Sequence, residues 1–81
     1  MNDKNRYDNT FEKIKIFQDA IVFYKDGDKE HFNAMHKTKI GVFTGHILNN
    51  KYFVEGGFIP IYNIKHIEYE IKRTIYKKKL S

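Results

Sequence analysis

Residues 41–71, GVFTGHILNNKYFVEGGFIPIYNIKHIEYEI, decide the fold. They read as short apolar strands cut by two turn signals, Asn49-Asn50 and Gly56-Gly57. Strands of this length at roughly 8–12-residue spacing are the signature of an all-β domain. Gly41 and Gly45 fall inside one of them, where glycine marks sharp bending or close backbone approach. Small closed barrels need such bends to turn their corners. Pro60 has no N–H to give to a ladder, which places it at an edge, a strand start or a bulge. Phe43 and Ile59 are the expected core residues.

The pattern extends upstream. Ile14 to Tyr24 reads as one strand with a bulge, or two strands tightly joined. Lys25-Asp26-Gly27-Asp28-Lys29 follows as a turn, and Asp-Gly suits the positive φ angles of type I′. A strand at about 30–36 would place Phe32, Ala34 and His36 on one face and His31, Asn33 and Met35 on the other. Downstream the signals conflict. Ile67, Tyr69 and Ile71 alternate with polar residues, as in a strand, yet Ile61, Ile64, Ile67, Ile71 and Ile75 follow helical spacing. The β-favouring Ile and Tyr content argues for a short turn at 61–65 and a strand at 66–72, then a frayed or helical basic tail.

The chain therefore reads as a mainly all-β protein: a small, strongly bent antiparallel sheet or a five- to six-stranded SH3- or Sm-like barrel. Residues 1–10 are a polar, flexible N-terminus, 11–71 the single domain and 72–81 a basic tail. The length of 81 residues suits one domain. Aromatics make up 16% of it, which favours strands. The absence of Cys excludes disulfides and thiolate metal sites. No apolar run approaches the roughly 18–20 residues of a membrane span, and the N-terminus lacks a signal-peptide core, so a cytoplasmic location is expected.

The net charge of +5 is unevenly placed. Lys72, Arg73, Lys77, Lys78 and Lys79 follow the last acid, Glu70, and residues 1–71 are balanced at 10 bases and 10 acids. Only the tail argues for an anionic partner, against the alternative of a solvated terminus.

Gly45-His46-Ile47, Tyr52-Phe53-Val54, Phe58-Ile59-Pro60-Ile61, and Ile64 with Ile67 together resemble the second half of small Sm-like and YolD-like bacterial β-barrels. The resemblance covers residues 41–71 and implies a five-stranded barrel. Bacterial Sm-like RNA chaperones carry Tyr-Lys-His at their RNA-binding pore. Here Ile64-Lys65-His66 stands near that place, and the Arg-Gly signature of archaeal and eukaryotic Sm proteins is absent, so RNA binding does not follow from the resemblance. Ile14–Gly27 also resembles the early strands of bacterial pleckstrin-like domains. The wealth of Lys, Ile, Asn and Tyr fits coding by a low-GC bacterium, its phages or its plasmids.

No catalytic constellation stands out. His31, His36, His46 and His66 lack metal-ligand spacing. Asp26 and Asp28 belong to a turn, and Glu68 and Glu70 share one strand face with Lys72 nearby. Gly56-Gly57 lacks the residues of a phosphate loop. The expectation is a protein that is not an enzyme and needs no cofactor or metal. It would act as an interaction module through self-association or a protein partner, since exposed sheet edges invite strand pairing. The alternative is nucleic-acid binding, with Lys72, Arg73, Lys77, Lys78 and Lys79 on phosphates and Tyr76, Tyr69 or Phe53 near bases.

Overall fold

The computed structural model describes residues 10–79. The N-terminal segment expected to be flexible, residues 1–10, lies outside the described residues except for Thr10, as do residues 80–81. Five strands follow in order: β1 (Phe11–Tyr24), β2 (Lys29–Lys37), β3 (Gly41–Leu48), β4 (Tyr52–Pro60) and β5 (Ile64–Lys78). A 3-10 turn, Ile61–Asn63, joins the last two. Each strand pairs with the next, and β5 returns to β1 to close a ring. The sheet is mixed rather than wholly antiparallel. β4 meets β5 in parallel at Tyr52↔Tyr76 and Phe53↔Lys77, whereas the other four ladders are antiparallel.

The expected helical tail is a strand. β5 continues through residues 72–78, and β1 pairs with it from Phe11↔Lys78 to Tyr24↔Ile64. The backbone of β1 supplies long-range hydrogen-bond partners that a sequence window cannot see, and these override the helical spacing. The isoleucine stripe is broken accordingly: Ile64 and Ile75 are buried, while Ile71 is 46% exposed.

The turn expected to be type I′ is of another type. In the β1–β2 hairpin, the Gly27 N–H donates to the Tyr24 carbonyl and only Gly27 has positive φ, at 99°. That is a type I turn with a left-handed glycine after it, not type I′. Asp26 Oδ1 accepts the Asp28 N–H at 2.9 Å and stiffens the loop. The primed turn sits between β3 and β4, where Asn49 and Asn50 have φ of 53° and 55°. Asn tolerates that conformation better than most residues.

Gly56-Gly57, expected as a turn, lies inside β4. Thr44 pairs with Gly57 and Gly45 with Glu55, so Gly56 is the extra residue of a β-bulge. The backbones crowd there: a Cβ on Gly45 would collide with the Val54 carbonyl. The close approach expected of Gly45 is thus present, and the bulge bends the β3–β4 hairpin. Pro60 ends β4, opposite Gly41.

Apolar side chains form two clusters. The first holds Ala20, Val22, Met35, Val42, Ile59 and Ile64; the second holds Ile14, Ile16, Ala34, Phe53 and Ile75. Ala34 and Met35 are adjacent in β2 and both fully buried, yet each belongs to a different cluster. Neighbouring strand residues point to opposite faces, so the sheet is covered on both sides here, and the simple two-face division of β2 fails. β1 passes between the clusters at Asp19, whose φ of 49° breaks the strand conformation without shifting register against β2 or β5. The kink at Asp19 inserts no residue; the irregularity of β1 against β5 lies instead between Phe23 and Tyr24, where the register shifts. Ile59 is buried, and Phe43 is half-buried against the second cluster. Among the described residues, no helix is long and apolar enough to cross a membrane.

Candidate functional site

Pairing of β1 with β5 is regular from Phe11 to Gln18. Ile14 lies opposite Ile75, and both are buried. The alternate positions face away from that core: Phe11, Lys13, Lys15 and Phe17 on β1, and Lys72, Thr74, Tyr76 and Lys78 on β5. Lys51 and Tyr52 extend this face, because Tyr52 pairs with Tyr76. No Asp or Glu occupies any of these positions, and Lys13, Lys15, Lys51, Lys72 and Lys78 are all exposed. Six residues separate its ends, about 20 Å at the usual strand rise.

The residues singled out from the tail divide into two groups. Lys72, Tyr76 and Lys78 belong to this face. Lys72 Nζ lies 5.9 Å from the Phe17 ring. Arg73 points the other way and is engaged within the fold. Its Nη1 donates to Gln18 Oε1 and to Asn50 Oδ1, and its Nη2 donates to the Asn50 carbonyl, each at 3.0 Å. Arg73 thus ties the β3–β4 turn to β1 and β5. Lys77 is also engaged: Nζ is 3.4 Å from Glu55 Oε1 and 5.0 Å from the Phe43 ring, with 15% of its side chain exposed. Lys79 is exposed beyond β5, and its N–H donates to the Thr10 carbonyl at 2.9 Å. Phe53 is buried, and Tyr69 stacks on Phe17 at 4.2 Å.

Sequence reasoning missed Phe11, Lys13, Lys15, Lys51 and Tyr52. The alternation Lys13-Ile14-Lys15-Ile16 was a readable sign of a basic outer face on β1. That it lies beside residues 72–78 depends on pairing across some sixty residues of chain, which no local pattern encodes.

One end of the face is aromatic. Phe11 and Tyr52 have ring centroids 5.0 Å apart, and Tyr52 and Tyr76 6.5 Å. Lys51 Nζ stands 5.6 Å from the Tyr52 centroid and 5.8 Å from that of Tyr76. These four side chains line an open cleft of about 210 Å³. Two larger clefts carry carboxylates instead. One, of about 420 Å³, includes Asp26 and Asp28; the other, of about 400 Å³, includes Asp19 and Glu70. Beside the first, the Tyr24 phenol donates to Glu30 Oε1 at 2.7 Å. Burial, that hydrogen bond and the charges of Glu30 and Asp26 push its pKa up to about 12. Among the described residues, no group of three or more His, Asp or Glu side chains could hold a metal ion.

No family model, curated protein or solved structure matches this chain.

Proposed function

We propose that this chain is a small non-catalytic binding barrel, of the SH3- or Sm-like kind, whose ligand is nucleic acid held on the outer face of β1 and β5. The observation that carries this reading is the carboxylate-free row of Lys13, Lys15, Lys72 and Lys78 on adjoining strands, with Lys51 in the turn beside them. Flexible, solvated lysines along an extended surface neutralise phosphates and release condensed counterions. The ring residues between them supply surfaces for bases or sugars. The test is titration of fluorescently labelled oligonucleotides over a salt series. Affinity should fall steeply as salt rises, and no binding to DNA or RNA at about 20 mM salt would end the reading.

Truncation is the wrong tool for this test. Removing residues 72–78 would take Ile75 from the core and unzip β1 from Phe11 to Phe17. Charge substitution on the exposed lysines leaves the ladder intact.

A second reading, self-association or docking of a protein partner, is favoured by the β4–β5 contact. It spans two residue pairs of the nine-residue β4, and beyond it Phe58 and Ile61 are 42% and 41% exposed. Strand edges with apolar neighbours pair readily with other chains. Light scattering would show a defined assembly if this edge is used. A monomer that retains no protein partner in a pull-down would count against it.

A further inference from the structure

We infer that the cleft between Phe11, Lys51, Tyr52 and Tyr76 receives one unpaired base, which makes the ligand a single strand rather than a duplex. The inference rests on the nucleic-acid reading above and names its substrate class. Three aromatic rings converge on a single opening of about 210 Å³, at the end of a face that otherwise presents lysines. A planar heterocycle can stack there, because base–aromatic stacking needs only an exposed π-face. In a duplex that face is covered by neighbouring base pairs, so the strand must offer an unstacked base.

Lys51 gives the cleft its polarity. Its ammonium lies near both tyrosine rings and has no carboxylate partner within salt-bridge distance among the described residues. It is placed to meet the phosphate of a nucleotide whose base occupies the cleft. From there Lys78, Lys13, Lys15 and Lys72 continue along the ladder for about 20 Å. That length falls near the short end of single-strand footprints, about four nucleotides.

The backbone that carries the rings is tied down. The Tyr76 N–H donates to the Lys51 carbonyl at 3.0 Å, and Tyr52 lies beside Tyr76 in the only parallel ladder of the described sheet. The cleft therefore exists where the ring of strands closes, and its geometry depends on that closure.

The experiment compares a labelled mixed-sequence 12-mer of single-stranded DNA and of RNA with the corresponding duplexes, at about 50 mM salt. Either single strand should bind at least about tenfold more tightly than its duplex. Tyr76→Leu should weaken single-strand binding at least about fivefold, while Tyr76→Phe retains it, since stacking needs the ring and not the hydroxyl. Lys51→Gln, at an exposed position, should weaken binding without touching the rings. The chain has no Trp, so the fluorescence of its tyrosines should be quenched on binding, and less so in Tyr76→Phe. Equal affinity for duplex and single strand would overturn the inference and leave the broader reading standing. So would unchanged single-strand affinity in both Lys51→Gln and a Tyr76→Leu protein with a parental melting midpoint. If no oligonucleotide binds, the broader reading fails and this one with it.

Discussion

The β1–β5 ribbon has two halves that share strands and pairing but differ in surface. From Phe11 to Phe17, its non-core positions carry Lys13, Lys15, Lys72 and Lys78. From Asp19 to Tyr24 they carry Asp19, Glu68 and Glu70, with Ile21 paired to Glu68 and Phe23 to His66. The left-handed kink at Asp19 divides them, and it also divides the two apolar clusters. One continuous ladder thus presents a basic surface over one core and an acidic surface over the other. The backbone differs little between the halves: register is constant from Phe11 to Phe23 and shifts only between Phe23 and Tyr24, at the far end of the second half. Side-chain choice at alternate positions distinguishes them, and it can change without disturbing the core beneath.

The largest expected effect comes from erasing the basic half. Replacing Lys13, Lys15, Lys72 and Lys78 together with Gln should cost roughly three decades of single-strand affinity at about 50 mM salt. It should also make the slope of log affinity against log salt shallower by about three, at about 0.7 per phosphate contact. Neutralising Glu68 and Glu70 in the other half should leave affinity equal or higher. Loss of binding on that side instead would invert the comparison.

The cores come next. Ile16→Ala should destabilise the protein by about 2–5 kcal/mol, because Ile16 is fully buried. Urea unfolding followed by far-ultraviolet circular dichroism and by tyrosine fluorescence would measure it. Val22→Ala probes the other cluster and should shift the same single transition, since one closed ladder joins both. Separate transitions would mean that the halves fold independently.

Arg73 sharpens the comparison from within the basic half. Its hydrogen bonds to Gln18 and Asn50 make it a clamp, so Arg73→Ala should cost about 1.5–3 kcal/mol of stability. The salt slope of binding should stay unchanged. A shallower slope with unaltered stability would place Arg73 on the ligand instead.

The smallest effect belongs to the other end of the ribbon. Tyr24 ionises near pH 12 in the folded protein, against 10 for an ordinary phenol. Between those values the unfolded chain loses the proton first. The stability held by the neutral phenol is therefore complete below pH 10 and is lost as pH rises towards 12. Tyr24→Phe should unfold less steeply than the parent over this window in pH titrations of stability.

Much of the fold was legible locally. Apolar patterning located β1 to β3 and the two ends of β4, and Asn49-Asn50 marked a true hairpin turn. Gly45 signalled a real close approach. Gly56-Gly57 was misread because a diglycine serves a bulge as well as a turn, and only the position of the partner strand distinguishes them. The tail was misread because helical spacing of isoleucines is a local signal, whereas pairing with β1 is a distant one.

By itself, the sequence determined that this chain is mainly β, that it bends at its glycines, and that its charge excess lies at one end. Those properties reside in each residue's own conformational range and in its immediate neighbours. The tertiary structure decided which lysines share a face, which bases are engaged in the fold and where three rings meet. Each of these depends on register between strands far apart in the chain, and that register is set by closing the ring over both cores at once.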